Sequence, residues 1–141
     1  MPLIRKPAPS AASTEIDVDR LAGDVASDLS SGSDEARWTA ARVAHSLPHG
    51  LRLLTAALAQ ETVPRVREAL FTGLARIGTP DSAAVVLRYL RSDEAGLRTG
   101  ALDALRAMPD AAAVHLPDLL RDADADVRLL CLLYTSDAAD E

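Results

Sequence analysis

Val66-Arg67-Glu68-Ala69-Leu70 and, four positions on from Leu70, Leu74-Ala75-Arg76-Ile77-Gly78-Thr79-Pro80 are the stretch whose reading decides the fold. Val66, Leu70, Gly73, Leu74 and Ile77 fall at i, i+4, i+7, i+8 and i+11, which is one stripe of an α-helix. Gly78 permits the left-handed turn that ends a helix. Thr79-Pro80 then reads as an N-cap followed by proline at the first position of a new helix.

The pattern recurs on either side. Val66-Arg67, Leu97-Arg98 and Val127-Arg128 are separated by 31 and 30 residues, and Ala36-Arg37 lies 30 residues before the first of them. Each pair follows a polar, mostly acidic stretch: Ser33-Asp34-Glu35, Gln60-Glu61-Thr62, Ser92-Asp93-Glu94 and Asp124-Ala125-Asp126. Ala40, Val43, Ala44 and Leu47 follow Ala36 as a stripe. Ala101, Ala104, Leu105 and Met108 follow Leu97 in the same way. Each stripe meets a break, at Leu47-Pro48-His49-Gly50, Ile77-Gly78-Thr79-Pro80 and Met108-Pro109-Asp110. A second helix is expected after each break. Its apolar positions are Leu51, Leu54 and Leu58, then Ala83, Val86, Leu87 and Leu90, then Ala113, Leu116, Leu119 and Leu120. Pro117 is expected in the first turn of the last helix or at a kink in it.

Each unit is therefore helix A, turn, helix B. A helix of about 12 residues is roughly 18 Å long, and two fit the period. The fold class this predicts is all-α, an α-solenoid of stacked two-helix hairpins. The expected organisation is a cap helix over 15–30, repeats at 31–61, 62–91 and 92–122, and a fourth begun at 123. Thr14 with Asp17 reads as a capping box opening the cap helix, and Val18, Leu21, Val25 and Leu29 as its stripe. Residues 1–14, rich in proline and small residues, are expected to be disordered.

The ankyrin signature Thr-Pro-Leu-His and the Trp…Leu-Gly…Tyr pattern of tetratricopeptide units are both missing. Val66-Arg67-Glu68-Ala69-Leu70 with Leu74-Ala75-Arg76-Ile77-Gly78, and again Asp124-Ala125-Asp126-Val127-Arg128, resembles the short HEAT-like repeats first grouped with the phycobilisome lyases. The resemblance spans about residues 31–130. It implies a repeat scaffold whose B helices line a concave face. The final stretch, Cys131 to Glu141, is similar to one reading frame of a transposase-type sequencing adapter, translated, and is expected to be non-native. It holds Asp137, Asp140 and Glu141 and no base, so without it the formal charge goes from −6 to −3.

Composition bounds the function. Hydrophobic residues make up 48% and aromatic residues 3% of the 141 residues, with Trp38, Phe71, Tyr89 and Tyr134 the only aromatic residues. A core of Ala, Leu and Val suits closely packed helices. An acidic chain lacks the basic stripe that nucleic acid requires, so no nucleic-acid partner is expected. No apolar run approaches a membrane span, so no membrane partner is expected. Met1 to Pro9 lacks the apolar core of a signal peptide, and one cysteine cannot form an internal disulfide; the expected location is cytoplasmic.

No nucleophile elbow, phosphate loop or His-Glu-x-x-His motif is present, so neither catalysis nor a cofactor is expected. His45 and His49 stand four apart, but Pro48 and Gly50 interrupt the helix between them, and no metal site is expected there or with His115. The column Arg37, Arg67, Arg98, Arg128 reads as a structural ladder paired with acidic residues of its own or the neighbouring loop. Trp38 either faces the neighbouring repeat or is exposed.

The expected function is a non-catalytic scaffold or adaptor for a protein partner. Its surface is placed on the polar helix B residues Arg52, Arg88, Arg91, His115, Asp118 and Arg121, with Arg91 and Arg121 aligned by their 30-residue separation. The resemblance also implies two alternatives. One is a lyase or other handler of a bilin chromophore, for which the chain has few aromatic residues. The other is a HEAT-like DNA glycosylase, for which it lacks a basic aromatic face.

Overall fold

The computed structural model describes residues 11–122 together with Ala125, Arg128 and Leu129, with side chains from Val18 onward. Most of the expected fourth repeat, residues 1–10 and the adapter-like tail with Cys131 lie outside the described residues.

Among the described residues the secondary structure is entirely helical. The α-helices are α1 (Ala11–Ser31), α2 (Asp34–Val43), α3 (Gly50–Gln60), α4 (Pro64–Ile77), α5 (Pro80–Leu87), α6 (Ala95–Arg106), α7 (Pro109–Ala113) and α8 (Leu116–Leu120). Helices α2, α4 and α6 are the A helices. Helix α2 lies against α1 and α4, and α4 against α6, forming one layer. Helices α3 and α5 pack back onto α4, and α7 packs on α5 in the second layer. The chain is thus a solenoid of helical hairpins, as the periodicity predicts.

Local chemistry sets the boundaries. Ser33 caps α2, its hydroxyl accepting from the Ala36 N–H at 3.2 Å. Thr79 caps α5 in the same way through the Ser82 N–H, with Pro80 in the first turn. Gly78 has φ 63°, the left-handed conformation that a β-carbon disfavours, and its N–H closes α4 onto the Leu74 carbonyl at 3.2 Å. The buried Ser82 hydroxyl donates to the same carbonyl, tying the α4–α5 hairpin. The core runs through both layers, with Leu54, Leu70, Leu74, Val66 and Val86 its largest fully buried apolar side chains.

Four expectations need correction. Helix α1 starts at Ala11, so Thr14 and Asp17 lie inside it rather than at its opening, and residues 11–14 belong to the helix. The α2 stripe is broken after Val43, where a 3₁₀ turn, Ala44–Ser46, replaces the α-helix. Its tighter winding keeps Ala44 buried and leaves Val43 40% exposed. The third B helix is two short helices, α7 and α8, with Pro117 in the first turn of α8. That break buries Ala111 and Ala112 instead of Ala113, and leaves Leu120 46% exposed. Finally, the second B helix tightens into a 3₁₀ turn at Arg88–Arg91.

Candidate functional site

The expected helix B surface is only partly available. Arg52 is exposed on α3, Arg88 on the 3₁₀ turn after α5, Asp118 within α8 and Arg121 just past its end. None of these four side chains makes a hydrogen bond or ion pair among the described residues. Arg91 and His115 are engaged within the protein. The Arg91 guanidinium pairs with Asp122, the neighbour of Arg121, which brings the end of the second B helix to the end of the third. His115 donates Nε2–H to the Pro80 carbonyl at 2.8 Å, an acceptor that fixes the proton on that nitrogen. Beneath this surface Tyr89 packs edge-on to Phe71, with ring centroids 5.7 Å apart. Burial pushes the Tyr89 phenol above its usual range, against the opposing charges of Arg88 and Arg67.

The arginine column has a regular geometry. Arg37 donates to the Gly32 carbonyl at 2.8 Å, Arg67 to Glu61 at 2.7 Å and Arg98 to Ser92 at 2.7 Å; Arg128 reaches the Asp122 carbonyl. In each case the acceptor lies just past the end of the preceding helical segment, where carbonyls have no intrahelical partner. The remaining guanidinium nitrogens of the first two reach carboxylates. Arg37 bonds Asp34 at 2.8 Å and both oxygens of Glu61, at 2.8 and 3.2 Å. Arg67 bonds Glu94 at 2.7 Å, across to the next repeat's loop. The sequence pointed to the acidic partners. It did not point to the carbonyls, although the spacing of six residues in three of the four copies was there to be read.

Glu61 is the focus of this network. It is buried, and its Oε1 also accepts the N–H groups of Thr62 and Val63 at 3.2 and 3.1 Å, which lead into α4. Burial opposes its ionisation. The Arg37 hydrogen bond, the Val63 N–H, the Arg37 charge and the Thr62 N–H outweigh that, and hold the carboxyl below the usual glutamate range. Arg37 is correspondingly raised, chiefly by its hydrogen bond to Glu61 and against desolvation.

Two grooves indent the helix A layer. The larger, about 510 Å³, runs between α2 and α4 past Trp38, Arg42, Arg65, Glu68, Thr72 and Arg76. The Arg42 and Arg65 guanidinium carbons lie 4.6 and 4.3 Å from the Trp38 ring centroid. Trp38 is half-buried beneath them. The second groove, about 310 Å³, lies between α4 and α6 over Phe71 and a floor of Ala75, Gly96, Gly100 and Ala104. Sequence reasoning did not find either groove, because each needs side chains from two helices about 30 residues apart.

His45 and His49 do not form a pair of ligands on one helical face. His45 sits in the 3₁₀ turn with its Nδ1 buried and unpartnered, and exposed His49 takes a left-handed backbone ahead of α3. Among the described residues no three of His, Cys, Asp and Glu come together in a metal-holding group. No helix among them is long and apolar enough to cross a membrane.

Paired helices repeating about every 30 residues, with each A helix laid on the one before, define an α-solenoid of the hairpin-repeat class. Within that class the chain belongs to the HEAT repeats: the model of that family matches residues 25–106 and again 51–133. No curated protein matches the chain.

Proposed function

We propose that this protein is a non-catalytic scaffold that binds a protein partner, built from hairpins at 31–61, 62–91 and 92–122 behind the α1 cap. HEAT repeats generally mediate protein interactions and are typically non-catalytic. The observation that carries the reading is the row of exposed charges on the B side. The side chains of Arg52, Arg88, Asp118 and Arg121 make no hydrogen bond or ion pair among the described residues and stand on three successive hairpins. A rigid framework presenting unpaired charges on successive repeats suits an extended partner surface. Arg91 and His115 serve that surface indirectly, by fixing neighbouring hairpins to one another. The column Arg37, Arg67, Arg98 and Arg128 is structural in this account, because its donors are already engaged by loop carbonyls and carboxylates.

The test is retention of a stoichiometric protein from extract of the source cells by the immobilised chain. Arg88→Glu with Arg121→Glu is expected to abolish retention while leaving the helical circular dichroism unchanged. Full retention by that variant would place the partner elsewhere.

A further inference from the structure

The groove between α2 and α4 inverts the charge balance of the molecule. The chain has 21 acidic and 15 basic residues. This groove carries Arg42, Arg65 and Arg76 with Glu68 as its single carboxylate. Arg65 makes one exposed bond to Glu35 at 3.1 Å, while Arg42 and Arg76 have no ion pair among the described residues. The protein's one tryptophan lies here, and its ring holds two of the guanidinium groups in place. Cations fixed by an aromatic face keep their N–H forks available and lose little freedom on engaging an anion.

The adjoining groove supplies a different surface. It shares Glu68 and Thr72 with the first, so the two meet across α4. Its floor is made of alanines and glycines around the buried Phe71 ring. A chain segment crossing α4 at Thr72 meets guanidinium groups on one side and a shallow apolar floor on the other.

We propose that the helix A side of the stack binds an acidic peptide segment of a partner, with carboxylates seated on Arg42, Arg65 and Arg76 and a neighbouring apolar side chain over Gly100 and Ala104. Charge complementarity selects this occupant, since carboxylates match the guanidinium fork. A nucleic acid is the poorer match. Its phosphates continue in both directions and want a basic stripe, whereas Arg42, Arg65 and Arg76 are confined to one groove. The site lies on the layer opposite the helix B surface and goes beyond the function proposed for that surface.

The experiment uses the full chain and a fluorescein-labelled synthetic peptide, Glu-Glu-Leu-Glu-Glu with blocked ends. Anisotropy gives affinity and Trp38 emission gives location. Saturable binding that shifts Trp38 emission and weakens with added salt is expected, and the Gln-Gln-Leu-Gln-Gln counterpart should not bind. Arg42→Gln with Arg76→Gln should weaken binding about tenfold or more, as expected for two lost charge-assisted hydrogen bonds. Arg76→Gln alone should show part of that loss, with helical circular dichroism unchanged. Arg20→Gln, an exposed arginine of α1 outside the groove, should bind as the unmodified chain does. The proposal is overturned by absence of saturable binding, by equal binding of the glutamine peptide, or by unchanged affinity in both groove variants. Tighter binding of a single-stranded oligothymidylate than of the acidic peptide would overturn it as well.

Discussion

Glu61 does three things: its carboxylate receives Arg37 and accepts the two N–H groups leading into α4, and its backbone carbonyl takes Arg67. Two consecutive repeats are thereby joined at a single residue. Because the folded carboxyl is held below its ordinary value, its stabilising contribution is fully present above the unfolded pKa and disappears as pH falls through the folded one. Glu61→Gln is expected to lower unfolding free energy at neutral pH by about 1 kcal/mol, the scale of a partly screened ion pair. In urea titrations the gap between variant and unmodified chain should begin to narrow as pH falls below about 4, the ordinary glutamate range, and close only below the depressed folded value, where the carboxyl is protonated in both states. A gap that persists undiminished at pH 2 would contradict the assignment. The acidic partners of Arg37 and Arg67 were legible in the sequence, since opposite charges in facing loops attract whatever the backbone does. The carbonyl partners were not, because a carbonyl's freedom depends on where the preceding helix ends.

Elements are held by what their neighbours leave room for. Helix α6 approaches α4 at Gly100, where a β-carbon would lie 2.7 Å from two atoms of the Phe71 ring. The ring is itself buried and packed edge-on against Tyr89, so it cannot swing aside freely. Gly100→Ala gains about 1 kcal/mol of helix propensity but forces overpacking that costs more, and a net loss of about 1–2 kcal/mol is expected. Thermal unfolding measures it, and adding Phe71→Leu should recover part of the loss. Stabilisation by Gly100→Ala alone would show that α4 and α6 are further apart. The A helices and the α4–α5 turn were readable because apolar period, Gly78, Thr79 and the prolines agree with one another. The 3₁₀ turns at Ala44–Ser46 and Arg88–Arg91 and the α7–α8 break were less so. A change of winding moves which residue faces inward without altering composition, as Val43 and Ala113 show.

At the scale of the molecule, repetition carries both the fold and its surfaces. The stacked class was legible from the spacing of the Val-Arg, Leu-Arg and Ala-Arg pairs. The grooves were not, since they arise only when α2, α4 and α6 lie side by side and bring Trp38 beside Arg65, and Phe71 over Gly100. Two faces follow: a B side with unpaired charges on successive repeats, and an A side with a cationic groove in an acidic protein. Both depend on the stacking register. That register is tested most directly by nuclear Overhauser contacts in the intact chain, between the Phe71 ring protons and the Gly100 α-protons, and between the Leu54 methyls and the Gly73 α-protons. A β-carbon at Gly73 would stand 3.0 Å from a Leu54 methyl carbon, so both contacts should be strong, with the Gly100 α-protons shifted by the ring. Helical chemical shifts along α2 to α6 without either contact would mean that the hairpins form but do not stack as described, and would contradict the account.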